Sequence, residues 1–115
     1  MNNVNGWINL YKPKNISSGK CINVLKKIMK LNKLGHCGTL DPLAEGILPI
    51  AIGKTTKLIK FINKNKKKYI FTINWKKQTS TDDSEGYVIK ESSYVPKKKE
   101  IEEKLNNFIG EIKQI

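Results

Sequence analysis

The chain has 115 residues and a formal net charge of +12, set by 22 basic against 10 acidic side chains. That length suits one domain or part of one, and no apolar run approaches the roughly 20 residues that a membrane span needs. Residues 1–81 hold 16 lysines and only two acids, Asp41 and Glu45, whereas residues 82–115 hold 6 lysines and 8 acids. This asymmetry predicts a polyanionic partner, with nucleic acid first and an acidic membrane surface second.

The N-terminal third predicts a strand, a turn and a helix. Apolar residues alternate over residues 7–11, which favours a strand. Residues 12–15 indicate a turn, in which Asn15 suits a left-handed conformation. Ser17 or Ser18 is expected to cap a helix over about 19–31. The apolar positions that predict its inner face are Cys21, Val24, Leu25 and Ile28.

The middle of the chain is broken by glycine and proline over residues 34–46, and the apolar run 47–52 then predicts a buried strand. A short helix is expected from Thr55 or Thr56 through Ile62. Residues 64–68 are a basic connector.

The C-terminal part carries the clearest strand pattern of the chain, because aromatic and aliphatic residues alternate strictly over 69–75. A polar loop over 79–86, a strand over 87–90 and a helix opened by Pro96 follow. Strands and helices in this order predict a mixed α+β domain.

Two chemistries are excluded by spacing. Cys21 and Cys37 lack the C-x-x-C pattern of zinc or redox sites, so we expect reduced thiols in a cytosolic protein. The segment Gly53-Lys54-Thr55 resembles the end of a phosphate-binding P-loop, but the required earlier glycine is Leu48.

Residues 35–46 differ from the rest of the chain, because the only histidine, His36, and the first acid, Asp41, lie there among several glycines. Glycine lets backbone approach a ligand closely. A purely structural interpretation stays open at this point: Asp41 before Pro42 could be a turn or capping residue, and His36 a structural histidine.

The run G-H-C-G-T-L-D-P-L-A-E-G-I-L-P-I over residues 35–50 resembles the signature of the TruB family of bacterial tRNA pseudouridine synthases, which act on uridine 55 in the T-loop. Residues 12–18 are similar to the family's K-P-x-G-x-S-S element, with Asn15 in place of glycine. Residues 79–86 resemble T-D-T-x-D-x-x-G, with Ser80 in place of aspartate, and residues 108–115 resemble F-x-G-x-I-x-Q-x. The resemblance implies the N-terminal portion of the catalytic domain, without the rest of that domain or a C-terminal RNA-binding domain.

The resemblance also implies a fold and a reaction. The fold would be the pseudouridine synthase fold, α+β with a mixed, mainly antiparallel sheet and flanking helices, incomplete in this chain. The reaction breaks the bond from ribose C1′ to uracil N1, rotates the base and rejoins it through C5, without a metal or cofactor. Asp41 would be the catalytic carboxylate, either as nucleophile or as base. The implied substrate-binding residues are Tyr69, His36, Lys12, Gly38 and Thr39.

Tyr69 would stack on the flipped uracil or help to remove the C5 proton, and its alternative is a core aromatic in a strand. The implied partner is the T-arm of tRNA, bound by a cytoplasmic monomer with no membrane contact. Three alternatives stay open: a guide-RNA-directed synthase, a non-catalytic RNA-binding or tRNA-folding fragment, and a ribosome-associated structural protein. Because family elements beyond Ile115 are missing, we expect this chain to carry the nucleophile without the full site.

Overall fold

A computed structural model describes residues 4–62 and 66–113. The chain divides into two compact units, Met1–Lys68 and Tyr69–Ile115, hereafter unit 1 and unit 2. Unit 1 contains β1 (Gly6–Lys12), α1 (Ser18–Met29), β2 (Leu34–His36), β3 (Gly46–Ile52), a 3-10 helix (Gly53–Leu58) and α2 (Ile59–Ile62). Unit 2 contains β4 (Lys77–Thr79), β5 (Val88–Glu91), α3 (Lys98–Leu105) and a second 3-10 helix (Asn106–Phe108).

Unit 1 is built on an antiparallel sheet of three strands in the order β1-β3-β2. The central strand pairs with β1 from Gly6 opposite Ile52 to Lys12 opposite Gly46, and with β2 up to His36 opposite Ile50. The predicted buried strand is confirmed as β3, and the predicted first strand as β1. The three-residue strand β2 was not predicted, because its glycine gives no alternating pattern and its pairing with β3 defines it.

The helix α1 covers one face of this sheet. Its N-cap is Ser17, whose hydroxyl accepts the backbone N–H of Lys20 at 3.2 Å. The predicted end at residue 31 is wrong by two residues, because Lys30 adopts a left-handed conformation that terminates the helix. The predicted inner face is also partly wrong, since Ile28 is 72% exposed while Ile22 is buried.

The core of unit 1 lies between α1 and the sheet. Each fully buried aliphatic side chain contributes about 1.5–3 kcal/mol by leaving water. The buried core residues are Cys21, Ile22, Leu34, Leu48, Ile50 and Ile52. Cys21 and Cys37 are both buried.

The predicted helix over 55–62 is confirmed only in its last turn, since residues 53–58 form a 3-10 helix before α2. The predicted basic connector, residues 64–68, lies partly outside the described residues, and its described part, 66–68, is exposed and without regular structure. No described helix is long and apolar enough to cross a membrane.

Unit 2 contains the hairpin β4-β5 and the helix α3, and none of its described residues is buried. The strand predicted over 69–75 is wrong: residues 69–74 have no regular structure and residue 75 begins a turn. An alternating pattern indicates that a segment suits a sheet, but a strand also needs a backbone partner. None of the described residues pairs with residues 69–75. The expected α+β class with antiparallel sheets is confirmed by both units.

Candidate active site

Asp41 lies in the loop that joins β2 to β3, and it is exposed. Its own carbonyl accepts the backbone N–H of Ala44 at 3.0 Å, which closes a turn over residues 41–44. Within residues 4–62 and 66–113, the Asp41 carboxylate makes no hydrogen bond and no ion pair. The interpretation of Asp41 as a side-chain cap of its own turn is therefore not what the structure shows. The turn forms through backbone groups, and no described residue binds the carboxylate oxygens.

The backbone on both sides of Asp41 is bound to residues 12–18. On the N-terminal side, the Ser18 hydroxyl accepts the N–H of Leu40 at 3.0 Å and donates to the Leu40 carbonyl at 2.9 Å. On the C-terminal side, the Pro42 carbonyl accepts the N–H of Asn15 at 2.7 Å. Asp41 is thus an exposed side chain on a restrained backbone.

Asn15 adopts a left-handed backbone conformation with φ of 63°, which confirms the sequence prediction. Asparagine is among the few residues that adopt this region readily. Its substitution for the family's glycine therefore preserves the turn that directs the Asn15 N–H toward Pro42.

Lys12 is buried with an exposed fraction of 0%, although the sequence resemblance assigned it to substrate binding. Its ammonium donates to the carbonyls of Pro13, Ile16 and Pro42 at 2.8, 2.7 and 3.3 Å. An ammonium has three protons, and three carbonyls accept them here. In this structure Lys12 holds the loop from inside and has no proton directed at solvent.

His36 ends β2 and is partly buried. Its Nδ1 lies 2.6 Å from the Gly38 carbonyl, and because a carbonyl only accepts, we assign the proton to Nδ1. In the neutral ring, Nε2 then keeps its lone pair as a hydrogen-bond acceptor. The bond to Gly38 folds the chain sharply at the start of the Asp41 loop.

Gly38 has φ of +80°, a conformation that favours glycine. The Lys67 ammonium lies 3.5 Å from the point where a β-carbon at residue 38 would stand. Thr39 is exposed. A cation and a sharply turned backbone therefore adjoin the loop that carries Asp41.

Glu45, the other acid of residues 1–81, forms an ion pair with Lys14 at 3.8 Å. Both side chains are about half exposed, so the pair contributes less than about 1 kcal/mol. The two acids of residues 1–81 therefore differ: Glu45 has an ion-pair partner, and Asp41 has none among the residues that the structure describes.

Tyr69 belongs to unit 2 and is 63% exposed, so the alternative of a core aromatic in a strand does not describe it. The structure brings Lys12, His36, Gly38, Thr39 and Asp41 together in and beneath one loop of unit 1. Sequence reasoning missed Ser18 as a contact of this loop. The available signal was the pair Ser17-Ser18, of which only one member is needed as a helix cap.

These residues define a class of site: a free carboxylate on a restrained loop within a lysine-rich unit, suited to acid–base or nucleophilic chemistry on a polyanion. The chain belongs to the TruB family of pseudouridylate synthases, whose N-terminal domain model matches residues 26–115.

Named relatives agree with the family model. The chain is 48% identical to tRNA pseudouridine synthase B of Ehrlichia chaffeensis and 51% identical to that of Ehrlichia ruminantium, in each case over 96% of this chain and 37% of the relative. It therefore spans little more than a third of these curated relatives. A solved H/ACA RNP bound to a substrate RNA containing 2′-deoxyuridine is similar over 50% of this chain and 18% of its own, at 44% identity and a TM-score of 0.48.

Proposed function

We propose that this chain carries the catalytic aspartate of a tRNA pseudouridine synthase that isomerises uridine 55 in the T-loop. The observation that supports this most directly is the Asp41 carboxylate, which is exposed and unpartnered among the described residues while the backbone around it is held on both sides. A carboxylate that serves folding is normally bound, whereas one that serves chemistry must be available to a substrate. The names of the relatives supply the reaction and the class of RNA.

In the proposed reaction, the bond from C1′ to N1 breaks with its electron pair left on N1, the freed uracil rotates within the site, and C5 bonds to C1′. C5 then loses its proton and N1 gains one, so that the product is an isomer of the substrate. Asp41 acts on the nucleotide either as nucleophile or as base. His36 presents Nε2, and Tyr69 stacks on the extruded base, which offsets the few kcal/mol that base extrusion costs. The lysines of residues 1–81 attract the phosphate backbone.

Tritium release from tRNA labelled at uridine C5 tests this proposal. The assay is run on this chain and on the chain lengthened to the size of its relatives. We expect Asp41→Asn in the active form to lower the rate by roughly 10³-fold or more. Glu45→Gln is the matched control, because it removes the other acid of the basic region, and it should retain the rate within about threefold. No release by the lengthened chain, or full release after Asp41→Asn, would contradict the proposal.

The second candidate function is RNA binding without turnover, favoured by the 16 lysines and two acids of residues 1–81. Both functions predict that affinity for a T-arm hairpin falls steeply with salt, because each phosphate contact releases a counterion. A salt-independent affinity would contradict the proposed role of the lysines. Binding by the lengthened chain with no tritium release would favour this second function.

We further propose that the protein acts as a monomer in the cytoplasm. Two cysteines without C-x-x-C spacing, Cys21 and Cys37, are the sequence feature that supports this compartment. Sedimentation of the lengthened chain tests the monomer, and a stable dimer at micromolar concentration would contradict it.

A further inference from the structure

Ser18 makes a pair of contacts that the helix itself does not require. It is the first residue of α1 and is 2% exposed. The helix is already capped by Ser17, whose hydroxyl binds the N–H of Lys20. The Ser18 hydroxyl instead accepts the Leu40 N–H at 3.0 Å and donates to the Leu40 carbonyl at 2.9 Å. One hydroxyl therefore satisfies both backbone groups of the residue that precedes Asp41.

Leu40 is also held through its side chain, which packs against the core cluster of unit 1. Its peptide groups and its side chain are thus both fixed, and the chain leaves Leu40 in a defined direction. On the other side of Asp41, the Pro42 carbonyl is held by Asn15 and Lys12. The backbone is therefore held on both sides of Asp41, at Leu40 and at Pro42.

We propose that Ser18 is a positioning residue for Asp41, acting through the backbone of Leu40. This inference rests on the proposed function of Asp41 and adds a residue to it. A reacting carboxylate must meet its target within a fraction of an ångström, and an error of 1 Å can cost about 100-fold in rate. Without the Ser18 hydroxyl, two partly buried backbone groups of Leu40 lose this partner, and the turn over residues 41–44 gains freedom.

The first arm of the test uses this chain as it is and measures amide hydrogen exchange by NMR. The reporters are the amides of Leu40 and Ala44, each read relative to that of Ile50 in β3 to remove any change in overall stability. Ser18→Ala should speed exchange at both reporters by roughly five- to a hundredfold. Ser17→Ala, the matched control, weakens the helix cap and should leave both ratios within about threefold.

The second arm measures tritium release by the lengthened chain. Ser18→Ala should lower kcat by roughly 10- to 100-fold with KM changed less than about threefold, because substrate still binds but meets a misplaced carboxylate. Ser18→Thr keeps the hydroxyl and should restore kcat to within about threefold. Ser17→Ala should keep the kcat of the unaltered chain.

The two arms separate the possible failures. An Ala44 amide that stays protected in Ser18→Ala shows that the turn is held without Ser18 and overturns the inference. An unchanged kcat in Ser18→Ala, in a chain that does release tritium, also overturns it. If the unaltered lengthened chain releases no tritium, the proposed function is wrong. The inferred role of Ser18 in catalysis is then wrong as well, even if the exchange measurement shows that Ser18 holds Leu40.

Discussion

Unit 1 is the larger of the two units, and the two differ in how they use their apolar residues. In unit 1, the side chains of Leu48 and Ile50 are 1% and 0% exposed beneath α1. In unit 2, Ile70 and Phe71 are 89% and 76% exposed, and no described residue is buried. Area removed from water is the main source of folding free energy, so unit 1 has its own source of stability and unit 2, as described, does not. The candidate active site lies on the unit that has the core.

The largest expected effect comes from truncating the same residue type in each unit. Ile50→Ala leaves a cavity at the centre of the sheet of unit 1 and should lower the free energy of unfolding by about 2–5 kcal/mol. Ile70→Ala removes an exposed side chain and should change it by less than about 0.5 kcal/mol. Urea denaturation followed by circular dichroism measures both. Equal losses would show that the two units do not differ in the way described.

The next effect concerns the buried lysine beneath the Asp41 loop. Lys12→Met keeps the apolar stem but leaves three carbonyls without the ammonium, which should destabilise unit 1 by about 1–3 kcal/mol. Lys14→Met is the matched control two residues away. Its side chain is exposed and its ion pair with Glu45 is worth little, so less than about 1 kcal/mol is expected.

Urea denaturation again gives the free energies for this pair of variants. Amide exchange at Asn15, whose N–H binds the Pro42 carbonyl, reports on the loop itself. If Lys12→Met leaves both unchanged, the ammonium does not hold the loop. A loss in Lys14→Met as large as that in Lys12→Met would assign the effect to total charge.

The elements that could be predicted from sequence are those whose local pattern and final environment agree. β3 is a short apolar run and becomes the buried central strand. Asn15 is a residue suited to a left-handed turn, and it adopts one. Ser17-Ser18 indicates a helix start, and α1 begins there. In each case a few residues that are neighbours in sequence determine the local structure.

What could not be predicted depends on partners that are distant in sequence. β2 exists because its three residues meet β3, and residues 69–74 form no strand despite their strong alternation, because no described segment pairs with them. The burial of Lys12 could not be predicted either, because lysine side chains are almost never fully buried. It becomes possible only where the turn after β1 and the loop before β3 supply three carbonyls together.

The same limit applies to the candidate site. We selected Asp41, His36 and Gly38 as candidates because they lie in one contiguous sequence motif. Ser18 lies 22 residues from Leu40, and no spacing rule connects them. Sequence alone therefore led to the proposal for Asp41, whereas the contact between Ser18 and Leu40 required the structure.

The smallest expected effect tests whether unit 2 has specific local order without a core. The Glu100 carboxylate, in the first turn of α3, accepts hydrogen bonds from the Tyr94 hydroxyl and from the Lys97 N–H, the latter at 2.7 Å. These bonds favour the charged form and lower the pKa of Glu100, with Tyr94 as the larger cause. A lowered pKa stabilises the folded form above the ordinary glutamate pKa of about 4.3, and that stabilisation is lost as the pH falls through the lower folded-state value.

Tyr94→Phe removes the main donor and should raise the pKa of Glu100 toward its ordinary value, as measured by ¹³C NMR titration of the side-chain carboxyl. Tyr87→Phe is the matched control, because it removes another exposed phenol of unit 2 that does not bond to Glu100. An identical Glu100 titration in the Tyr94→Phe chain would show that the start of α3 is not ordered in solution. A shift confined to Tyr94→Phe would show that hydrogen bonds alone give this region a defined structure, whereas unit 1 also has a buried core.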